Sequence, residues 1–261
     1  MKGATMNTND DIKEAVKDRY AKIAKGDPAI QDPITSCCGG GGCGEAAAVE
    51  MALDYNDVDR AAIPEGADLG LGCGTPAAFA ELKEGMTVLD LGSGAGIDCF
   101  VASRAVGISG KVIGVDMTEA MIRKANENKK NFDASNVEFR LGEIERLPVN
   151  ADSVDRVISN CVINLVPDKS AAFREIKRVL KPGGKFMISD IVIGGMVTEE
   201  ERRDASLWAG CISGAIDRND YLGLIRSAGF TEVRIASEKQ YSYKLKSGAG
   251  LFSITVTGTK E

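Results

Sequence analysis

One part of the chain constrains its fold more than any other. Residues 88–91 form an apolar run, residues 92–96 carry glycines at positions 92, 94 and 96, and residues 112–116 form a second apolar run that ends in a carboxylate. A buried strand, a glycine-rich turn, a helix and a second strand ending in an acid make half of a doubly wound nucleotide-binding fold. We therefore expect an α/β fold built around a parallel sheet.

The spacing of these glycines indicates which ligand the turn accepts. A dinucleotide-binding turn has the pattern G-x-G-x-x-G, and its third glycine would stand at Ile97. A β-branched side chain there disfavours close approach of a pyrophosphate, although the remaining glycines still let a ligand reach the backbone. We predict a ligand with an adenosine and no phosphates, such as S-adenosylmethionine. Asp116 would accept hydrogen bonds from its ribose hydroxyls.

From residue 86 onwards, apolar runs typical of strands alternate with segments that have helical spacing. We expect strands near 86–91, 111–116, 136–141, 154–159, 184–190, 231–236 and 251–258. We expect helices near 10–25, 57–62, 75–82, 96–106, 118–131, 168–180, 198–212 and 217–228. This order predicts a doubly wound, mostly parallel seven-stranded sheet with an antiparallel edge.

The same pattern divides the chain into three parts. We expect residues 1–85 to form a helical lid with a cysteine-rich loop, and residues 86–193 to form the cofactor-binding core. Residues 194–261 would add a C-terminal appendage of helices and closing strands.

Ligands of such sheets bind at the carboxyl ends of the strands, which places the rest of the cofactor site. The candidates there are Asp90, Gly92, Ser93, Gly94, Gly96, Asp116, Met117, Glu143, Ile144 and Asn160. Two of them have an alternative role. Asp90 could position the turn rather than touch the ligand, and Glu143 could bind adenine or simply face solvent.

Composition excludes several kinds of partner. The chain has 261 residues, 44% of them hydrophobic, and a formal net charge of −6. Lysine and arginine are dispersed, so we expect a small-molecule substrate and no nucleic-acid partner. We find neither an apolar N-terminal segment nor an apolar run that could span a bilayer, so we expect no signal peptide, no membrane and a cytoplasmic location.

Seven cysteines and no histidine restrict the chemistry further. Without histidine, the usual general base and a common zinc ligand are missing. Any reaction must therefore depend on thiols, carboxylates or the cofactor. An odd cysteine count without a secretory signal predicts reduced thiols rather than a static disulfide framework.

Three cysteines stand in segments that can converge over the predicted cleft. Cys161 follows the fourth strand, Cys73 lies in a glycine-rich loop before the first strand, and Cys211 ends the helix after the fifth strand. Cysteine is often only a buried space-filling residue, so each of the three could also be structural.

The other four cysteines divide into two kinds. Cys99 lies inside the helix after the glycine turn, at a spacing that points it to the sheet, and we expect it to be a core residue. Cys37, Cys38 and Cys43 stand among glycines, where packing is implausible. They belong either to an arm that reaches the cleft or to a solvated, redox-sensitive loop.

Several motifs together are similar to a known family. They are DLGSGAGID at 90–98, GVDMT at 114–118, NVEF at 136–139, GEIE at 142–145, SNCVINLVPDK at 159–169 and RVLKPGG at 178–184. The chain resembles the arsenite methyltransferases, which depend on S-adenosylmethionine and have the class I methyltransferase fold. The glycine turn is shared by many methyltransferases, whereas the motif around Cys161 is highly specific.

The resemblance implies a substrate and a role for the thiols. Cys73, Cys161 and Cys211 would hold trivalent arsenic as catalytic ligands, with Cys38 or Cys37 as a further thiol, and residues 194–261 would contribute to this site. A thiol reductant such as thioredoxin or glutathione would restore the trivalent state after each turnover. Thiolate ligands suit a soft metalloid better than oxygen or imidazole ligands do.

Two other functions fit parts of the sequence. A C- or O-methyltransferase acting on a quinone or sterol would explain the glycine turn and leave three rim thiols unexplained. A non-enzymatic metalloid-binding protein on the same fold would explain the thiols, but it would not need the intact turn or Asp116. Binding of S-adenosylmethionine separates an enzyme from a metalloid sink.

Overall fold

The computed structural model describes residues 8–27, 63–64, 66–132, 134–204, 207, 211–212 and 214–261. The strands in this part of the chain are β1 (Thr87–Leu91), β2 (Lys111–Asp116), β3 (Val137–Leu141), β4 (Val154–Asn160), β5 (Leu180–Gly194), β6 (Thr231–Lys244) and β7 (Gly250–Thr259). The helices are α1 (Asn9–Ala24), α2 (Pro76–Phe79), α3 (Ile97–Val106), α4 (Glu119–Phe132), α5 (Lys169–Val179), α6 (Glu199–Arg202) and α7 (Arg218–Ser227), with a 3-10 turn at Ile163–Leu165. None of these helices is both long and apolar enough to cross a membrane.

The described strands form one seven-stranded sheet in the order β3-β2-β1-β4-β5-β7-β6. The five strands from β3 to β5 run parallel, and β7 pairs antiparallel with both β5 and β6. The prediction of a doubly wound, mostly parallel seven-stranded sheet is confirmed. Strand order reverses beside β1, where the chain passes to β2 on one side and later to β4 on the other. Such a switch point opens a crevice at the carboxyl ends of the strands.

Two strands are longer than the sequence predicts. β5 covers Leu180–Gly194 instead of 184–190, and β6 covers Thr231–Lys244 instead of 231–236. Both extensions pair with β7, which bonds to β5 as far as Gly194 and to β6 as far as Lys244. Partner strands, rather than local propensity, set these lengths.

The helix expected over 198–212 is wrong in its extent. α6 ends at Arg202, and Arg203 and Asp204 form a turn and an irregular segment. Cys211 has a φ of 62°, which a right-handed helix does not allow. The described residues of this stretch therefore do not form one continuous helix, and Cys211 and Ile212 are buried beyond the end of α6. The helix predicted near 75–82 is a single turn, and the one near 57–62 lies outside the described residues.

Alternating side chains of the central strands fill the two faces of the sheet, as the period of a strand requires. On one face Leu89 packs in the core that holds Phe173 and Tyr221, whose rings meet edge to face at 5.7 Å. On the other face Val88 packs with Phe100. These two cores fix the turns that leave β1 and β4 at the crevice.

The first helix begins at a capping box. Thr8 Oγ1 accepts a hydrogen bond from the Asp11 amide at 3.1 Å, and the Asp11 carboxylate accepts one from the Thr8 amide at 2.9 Å. Such a cap contributes about 1 kcal/mol to helix stability. α1 then packs against α4 and the 3-10 turn and buries Val16. The amphipathic helix predicted at 10–25 is confirmed.

Candidate active site

A cavity opens at the carboxyl ends of β1, β2 and β4, with about 1280 Å³ of empty space that includes the part open to solvent. Its walls contain residues from the turn after β1, the ends of β2 and β4, the segment after β3, and α1. The predicted site residues among them are Asp90, Gly92, Ser93, Gly94, Asp116, Met117, Ile144, Asn160, Cys161 and Cys211. The rule that ligands bind at the carboxyl ends of parallel strands thus predicted the place of the cavity.

The turn after β1 follows a path that only small residues allow. Gly92 has a φ of 65°, and a Cβ added there would lie 2.5 Å from the Val162 side chain. Gly94 has a φ of 51° and no atom within 4 Å of an added Cβ. The Gly92 and Ser93 amides both donate to the Val115 carbonyl, at 2.7 and 3.0 Å. The turn is therefore anchored to β2 and presents open backbone at Gly94.

Gly96 has a different role from the other glycines of the turn. It is the N-cap of α3 with a φ of 99°, and an added Cβ would lie 2.8 Å from both Phe100 and Phe139. It does not line the cavity. Gly96 allows the start of α3 to pack closely against Phe100 and Phe139. A substitution at Gly96 would therefore affect a ligand only by changing the path of the turn.

Asp116 ties the turn to the end of β2. Its Oδ2 accepts a hydrogen bond from the Gly94 amide at 3.0 Å, and its Oδ1 accepts one from the Thr118 amide at 2.8 Å. Burial raises the pKa of Asp116, and the hydrogen bonds from Thr118 and Gly94 oppose that rise. The carboxylate thus stands at the cavity wall beside the turn, where a ligand hydroxyl could approach it.

Three buried groups lie beneath the turn. Asp90 accepts a hydrogen bond from the Cys99 thiol at 3.2 Å. Burial and then the charge of Asp98 raise the pKa of Asp90 well above its usual range. Burial and the charge of Asp90 also raise the pKa of Cys99, which keeps this thiol protonated and unreactive. The prediction that Cys99 is a core residue is confirmed, since none of it is exposed.

The segment after β3 places two neighbouring glutamates differently. Glu145 lines the cavity. Glu143 does not, because its carboxylate bonds to Lys13 at 2.7 Å and to Lys17 at 3.1 Å, both on α1. These hydrogen bonds, that from Lys13 first, lower the pKa of Glu143 against the effect of burial. A role of Glu143 in binding adenine remains a prediction, and in this structure the side chain holds α1 at the rim.

Sequence reasoning missed several residues of the cavity wall. Four of them belong to α1 and one to the first turn of α3: Lys13, Val16, Arg19, Tyr20 and Asp98. The spacing of apolar residues predicted α1 itself but carried no signal for where the helix docks. Asp98 did have a signal, because a carboxylate just after a glycine turn stands at the carboxyl edge of the sheet.

The three cysteines expected to converge lie together, and two of them form a disulfide. Cys73 and Cys161 are bonded, with their Cα atoms 5.8 Å apart. The Cys211 thiol donates a hydrogen bond to the Cys161 carbonyl at 2.8 Å. Cys161 and Cys211 line the cavity and both have a positive φ, of 60° and 62°. Cys38, like Cys37 and Cys43, lies outside the described residues.

The expectation of reduced thiols without a disulfide is wrong for Cys73 and Cys161 in this structure. The number of cysteines does not show which of them lie close together in the folded chain. The fold brings Cys73 to Cys161, although they are 88 positions apart in sequence. With that bond in place, no three cysteine or acidic side chains of the described residues form a ready metal site. A three-thiolate site would need the bond to be reduced first.

Comparisons with known proteins agree with this geometry. A family model described as a methyltransferase domain matches residues 82–229. The chain is 48% identical to an arsenite methyltransferase from Halobacterium salinarum over 88% of this chain and 60% of that protein. It is 41% identical to a demethylmenaquinone methyltransferase from Lactococcus lactis, over 40% of this chain and 41% of that enzyme.

A solved structure shows the same relationship. The X-ray structure of an arsenic(III) S-adenosylmethionine methyltransferase from Chlamydomonas reinhardtii superposes with a TM-score of 0.66 at 34% identity. The match covers 80% of this chain and 71% of that one. The chain spans 46 to 65% of the length of five curated arsenite methyltransferases that it matches. Its sequence and its fold together show that it belongs to the arsenite methyltransferase family.

Proposed function

We propose that this protein transfers a methyl group from S-adenosylmethionine to trivalent arsenic. The observation that carries the proposal is the position of Cys161 and Cys211, which line the same cavity as the glycine turn. The names of the most similar proteins support the same reaction. Arsenite and its monomethylated form are the expected substrates.

The cavity fits S-adenosylmethionine on three observations. Gly94 has open space at its α-carbon, so that a nucleoside can lie against the backbone. Ser93 Oγ is buried and has no hydrogen-bond partner among the described residues, as expected where a ligand group completes the site. Asp116 stands at the end of β2, where it can accept hydrogen bonds from ribose hydroxyls. When bound, S-adenosylmethionine supplies an electrophilic methyl group.

The thiols of the chain hold and orient the substrate. Trivalent arsenic is soft and thiophilic, so thiolates bind it more strongly than hydroxyl or carboxylate groups do. With three thiolate ligands its lone pair points away from the sulfurs and would form the new bond to the methyl carbon as the sulfonium–carbon bond breaks and the neutral thioether leaves. The arsenic would thereby be formally oxidised by two electrons, and the thiol reductant would return it to the trivalent state. No proton leaves the nucleophile, so a chain without histidine loses nothing. Catalysis would be mostly positioning of two reactants in one cavity.

Substrate binding requires that the Cys73–Cys161 disulfide be opened. A dithiol reductant supplies two electrons and two protons, which leave Cys73 and Cys161 as thiols and the reductant as a disulfide. Arsenic binding then releases protons from the thiols, because the ligand is the thiolate. We propose a small thiol or a thiol protein as the reductant, and a reducing compartment such as the cytoplasm as the location.

A quinone-type C-methyltransferase is the weaker candidate. The similarity to the Lactococcus enzyme extends over 103 residues. Cys73 stands 88 positions before Cys161, which stands 50 positions before Cys211. A match of that length does not contain both Cys73 and Cys211, so it describes the shared cofactor fold.

The test is arsenite methylation by the purified protein with S-adenosylmethionine and a thiol reductant, with the arsenic species separated by chromatography. Cys161→Ser and Cys211→Ser should each lower the rate by at least about 100-fold, because a hydroxyl is a hard and weak ligand for this metalloid. Both variants should keep their affinity for S-adenosylmethionine in calorimetry. Cys99→Ala is the matched control and should retain most of its turnover. Normal rates in both serine variants would refute the proposal.

A further inference from the structure

The Asn160 side chain holds the loop that carries Cys73. Asn160 ends β4 directly before Cys161, and its Oδ1 accepts hydrogen bonds from the amides of Cys73 at 2.9 Å and Gly74 at 3.2 Å. Its Nδ2 donates to the Gly74 carbonyl at 2.7 Å. One side chain thus bonds three backbone groups of a loop 86 and 87 positions away in sequence.

The rest of the loop is fitted to this contact. Ser253 Oγ on β7 donates to the Cys73 carbonyl at 2.7 Å, so side chains satisfy both backbone polar groups of Cys73. A Cβ added at Gly72 would lie 2.9 Å from Asn160 Nδ2, and one added at Gly74 would lie 2.6 Å from Ser189 Oγ. The loop belongs to no helix or strand of the described residues, so these contacts define where Cys73 stands.

The amide of Asn160 also reaches the cofactor cavity. Its Nδ2 makes a second hydrogen bond, to Asp98 Oδ2 at 3.2 Å, and Asp98 lines the cavity from the first turn of α3. Both hydrogens of the amide and two acceptor positions of its oxygen are therefore in use, which is the full capacity of an asparagine side chain. An aspartate at this position could still accept from the two amides. It would lose both donated bonds and place a negative charge beside Asp98.

We propose that Asn160 is a positioning residue that holds Cys73 against Cys161 and so sets how readily the two thiols act as a pair. This extends the earlier assignment of Asn160, which the sequence predicts only as a cofactor contact. The consequence for arsenic binding rests on the proposed function. The pairing of the two thiols does not, because it can be measured without arsenic or a methyl donor.

The quantity to measure is the equilibrium of the pair with glutathione. Two protein thiols and one glutathione disulfide give the Cys73–Cys161 disulfide and two glutathione thiols, so that atoms and electrons balance. The equilibrium constant of this exchange is the effective concentration of one protein thiol at the other. Alkylation of the quenched mixture and peptide mass spectrometry report this pair separately from the other cysteines.

Asn160→Ala should lower the effective concentration by about 10- to 100-fold, because several hydrogen bonds that hold the loop are lost together. Asn160→Asp should lower it less, since the two amides keep an acceptor. Ser253→Ala leaves Asn160 in place and removes the bond to the Cys73 carbonyl together with the hydrogen bond of Ser253 to the Tyr241 hydroxyl. It should lower the effective concentration by about 3- to 10-fold. This third variant keeps the proposal testable if either change at position 160 prevents folding.

Asn136→Ala is the matched control. Asn136 Nδ2 bonds to the Ser103 and Gly107 carbonyls at 3.1 and 2.8 Å, and its Oδ1 accepts a hydrogen bond from Ser103 Oγ at 2.6 Å. Asn136 directly precedes β3 and so lies at the amino ends of the parallel strands, whereas Asn160 lies at their carboxyl ends. Urea unfolding of the reduced proteins checks that both alanine variants are folded. An effective concentration that falls no further in Asn160→Ala than in Asn136→Ala would overturn the proposal.

The outcomes also separate this proposal from the proposed function. If Asn160→Ala weakens binding of S-adenosylmethionine and leaves the glutathione equilibrium unchanged, then Asn160 is a cofactor contact only and the inference is wrong. If the equilibrium shifts as expected but the unaltered protein does not methylate arsenite, the positioning role stands and the assigned reaction fails.

Discussion

The two sides of the cavity are built in different ways. On the cofactor side, which comprises the turn after β1 and the end of β2, partners are near in sequence. Cys99 bonds to Asp90 nine positions away, and Gly94 bonds to Asp116 across 22 positions. On the thiol side, which comprises Cys73, Cys161, Cys211 and their partners, the separations are 50, 88 and 180 positions. A local motif makes the first side, and the whole fold is needed to assemble the second.

The two sides also differ in what they bury. The cofactor side lines the cavity with three acidic side chains, Asp90, Asp98 and Asp116, of which Asp90 has a pKa raised well above its usual range. Cys161 and Cys211 pack instead in an apolar cluster with α1 and β5. Negative charge on the cofactor side suits a ligand that carries a sulfonium and an ammonium group. Uncharged sulfur, in the disulfide of Cys161 or the thiol of Cys211, suits the apolar surroundings on the thiol side. Two buried ionisable groups, Asp190 and Lys169, are the exception on the thiol side, and Lys169 lies near enough to Cys211 for their charges to interact.

The largest expected effect tests that exception. Asp190 is fully buried in β5, where it accepts a hydrogen bond from Tyr221 at 3.0 Å. Burial raises the pKa of Asp190 to about 7, against that hydrogen bond and the positive charge of Lys169. Between pH 4 and 7 the folded protein therefore keeps a proton that the unfolded chain releases. The contribution of Asp190 to the free energy of unfolding therefore falls as the pH rises through this window and levels off above it.

Asp190→Asn should remove this contribution. Relative to the unaltered protein, its free energy of unfolding should rise by about 2–3 kcal/mol between pH 5 and pH 8, since each pH unit in the window contributes about 1.4 kcal/mol. Urea unfolding in the presence of a reductant, followed by circular dichroism, gives the values. Asp220→Asn, an exposed position on α7, is the control. Parallel pH curves for the Asp190 variant and the unaltered protein would show that Asp190 is charged throughout.

The next effect tests the cofactor side. Asp116→Ala should weaken binding of S-adenosylmethionine by about 30-fold, because it removes charge-assisted hydrogen bonds worth about 2 kcal/mol and frees the Gly94 amide. Calorimetry measures the affinity. The glutathione equilibrium of Cys73 and Cys161 should stay unchanged, since no contact of Asp116 reaches that loop among the described residues. An equal change in the affinity for S-adenosylmethionine and in the glutathione equilibrium would show that the two sides do not act independently.

The same distinction explains how much the sequence predicts. The turn at 92–96 and Asp116 were predictable because a short strand–turn–helix–strand pattern determines where they lie. The disulfide between Cys73 and Cys161 was not, because no local pattern shows that Asn160 reaches the loop before β1. The sequence named the three thiols of this site through a family resemblance and through segments that can converge over the carboxyl ends of the strands.

Orientation was harder to predict than position. Strand-end position placed Glu143 at the rim, but lysines of α1 decide where its carboxylate points. The apolar spacing in 198–212 suggested one helix, whereas the backbone reverses its φ at Cys211. In both places a tertiary contact outweighs a local preference, and single-sequence reasoning has no measure of such contacts.

The smallest expected effect concerns the helix that joins the two sides. Lys13 on α1 lines the cavity and forms ion pairs with Glu143 at 2.7 Å and Glu145 at 3.0 Å. Burial alone would lower the pKa of Lys13, but the hydrogen bonds to these glutamates outweigh it and raise the pKa. The pairs are partly exposed, so each is worth less than about 1 kcal/mol.

Lys13→Met keeps the length of the side chain and removes its charge. If these pairs hold α1 over the cavity, affinity for S-adenosylmethionine should fall by about 2- to 4-fold at low ionic strength. The loss should shrink in about 1 M salt, where the Debye length is about 3 Å. Lys22→Met, an exposed position on the same helix, should change the affinity at neither salt concentration. A loss that persists at high salt would mean that Lys13 contacts the cofactor directly, and α1 would then belong to the cofactor side rather than join the two.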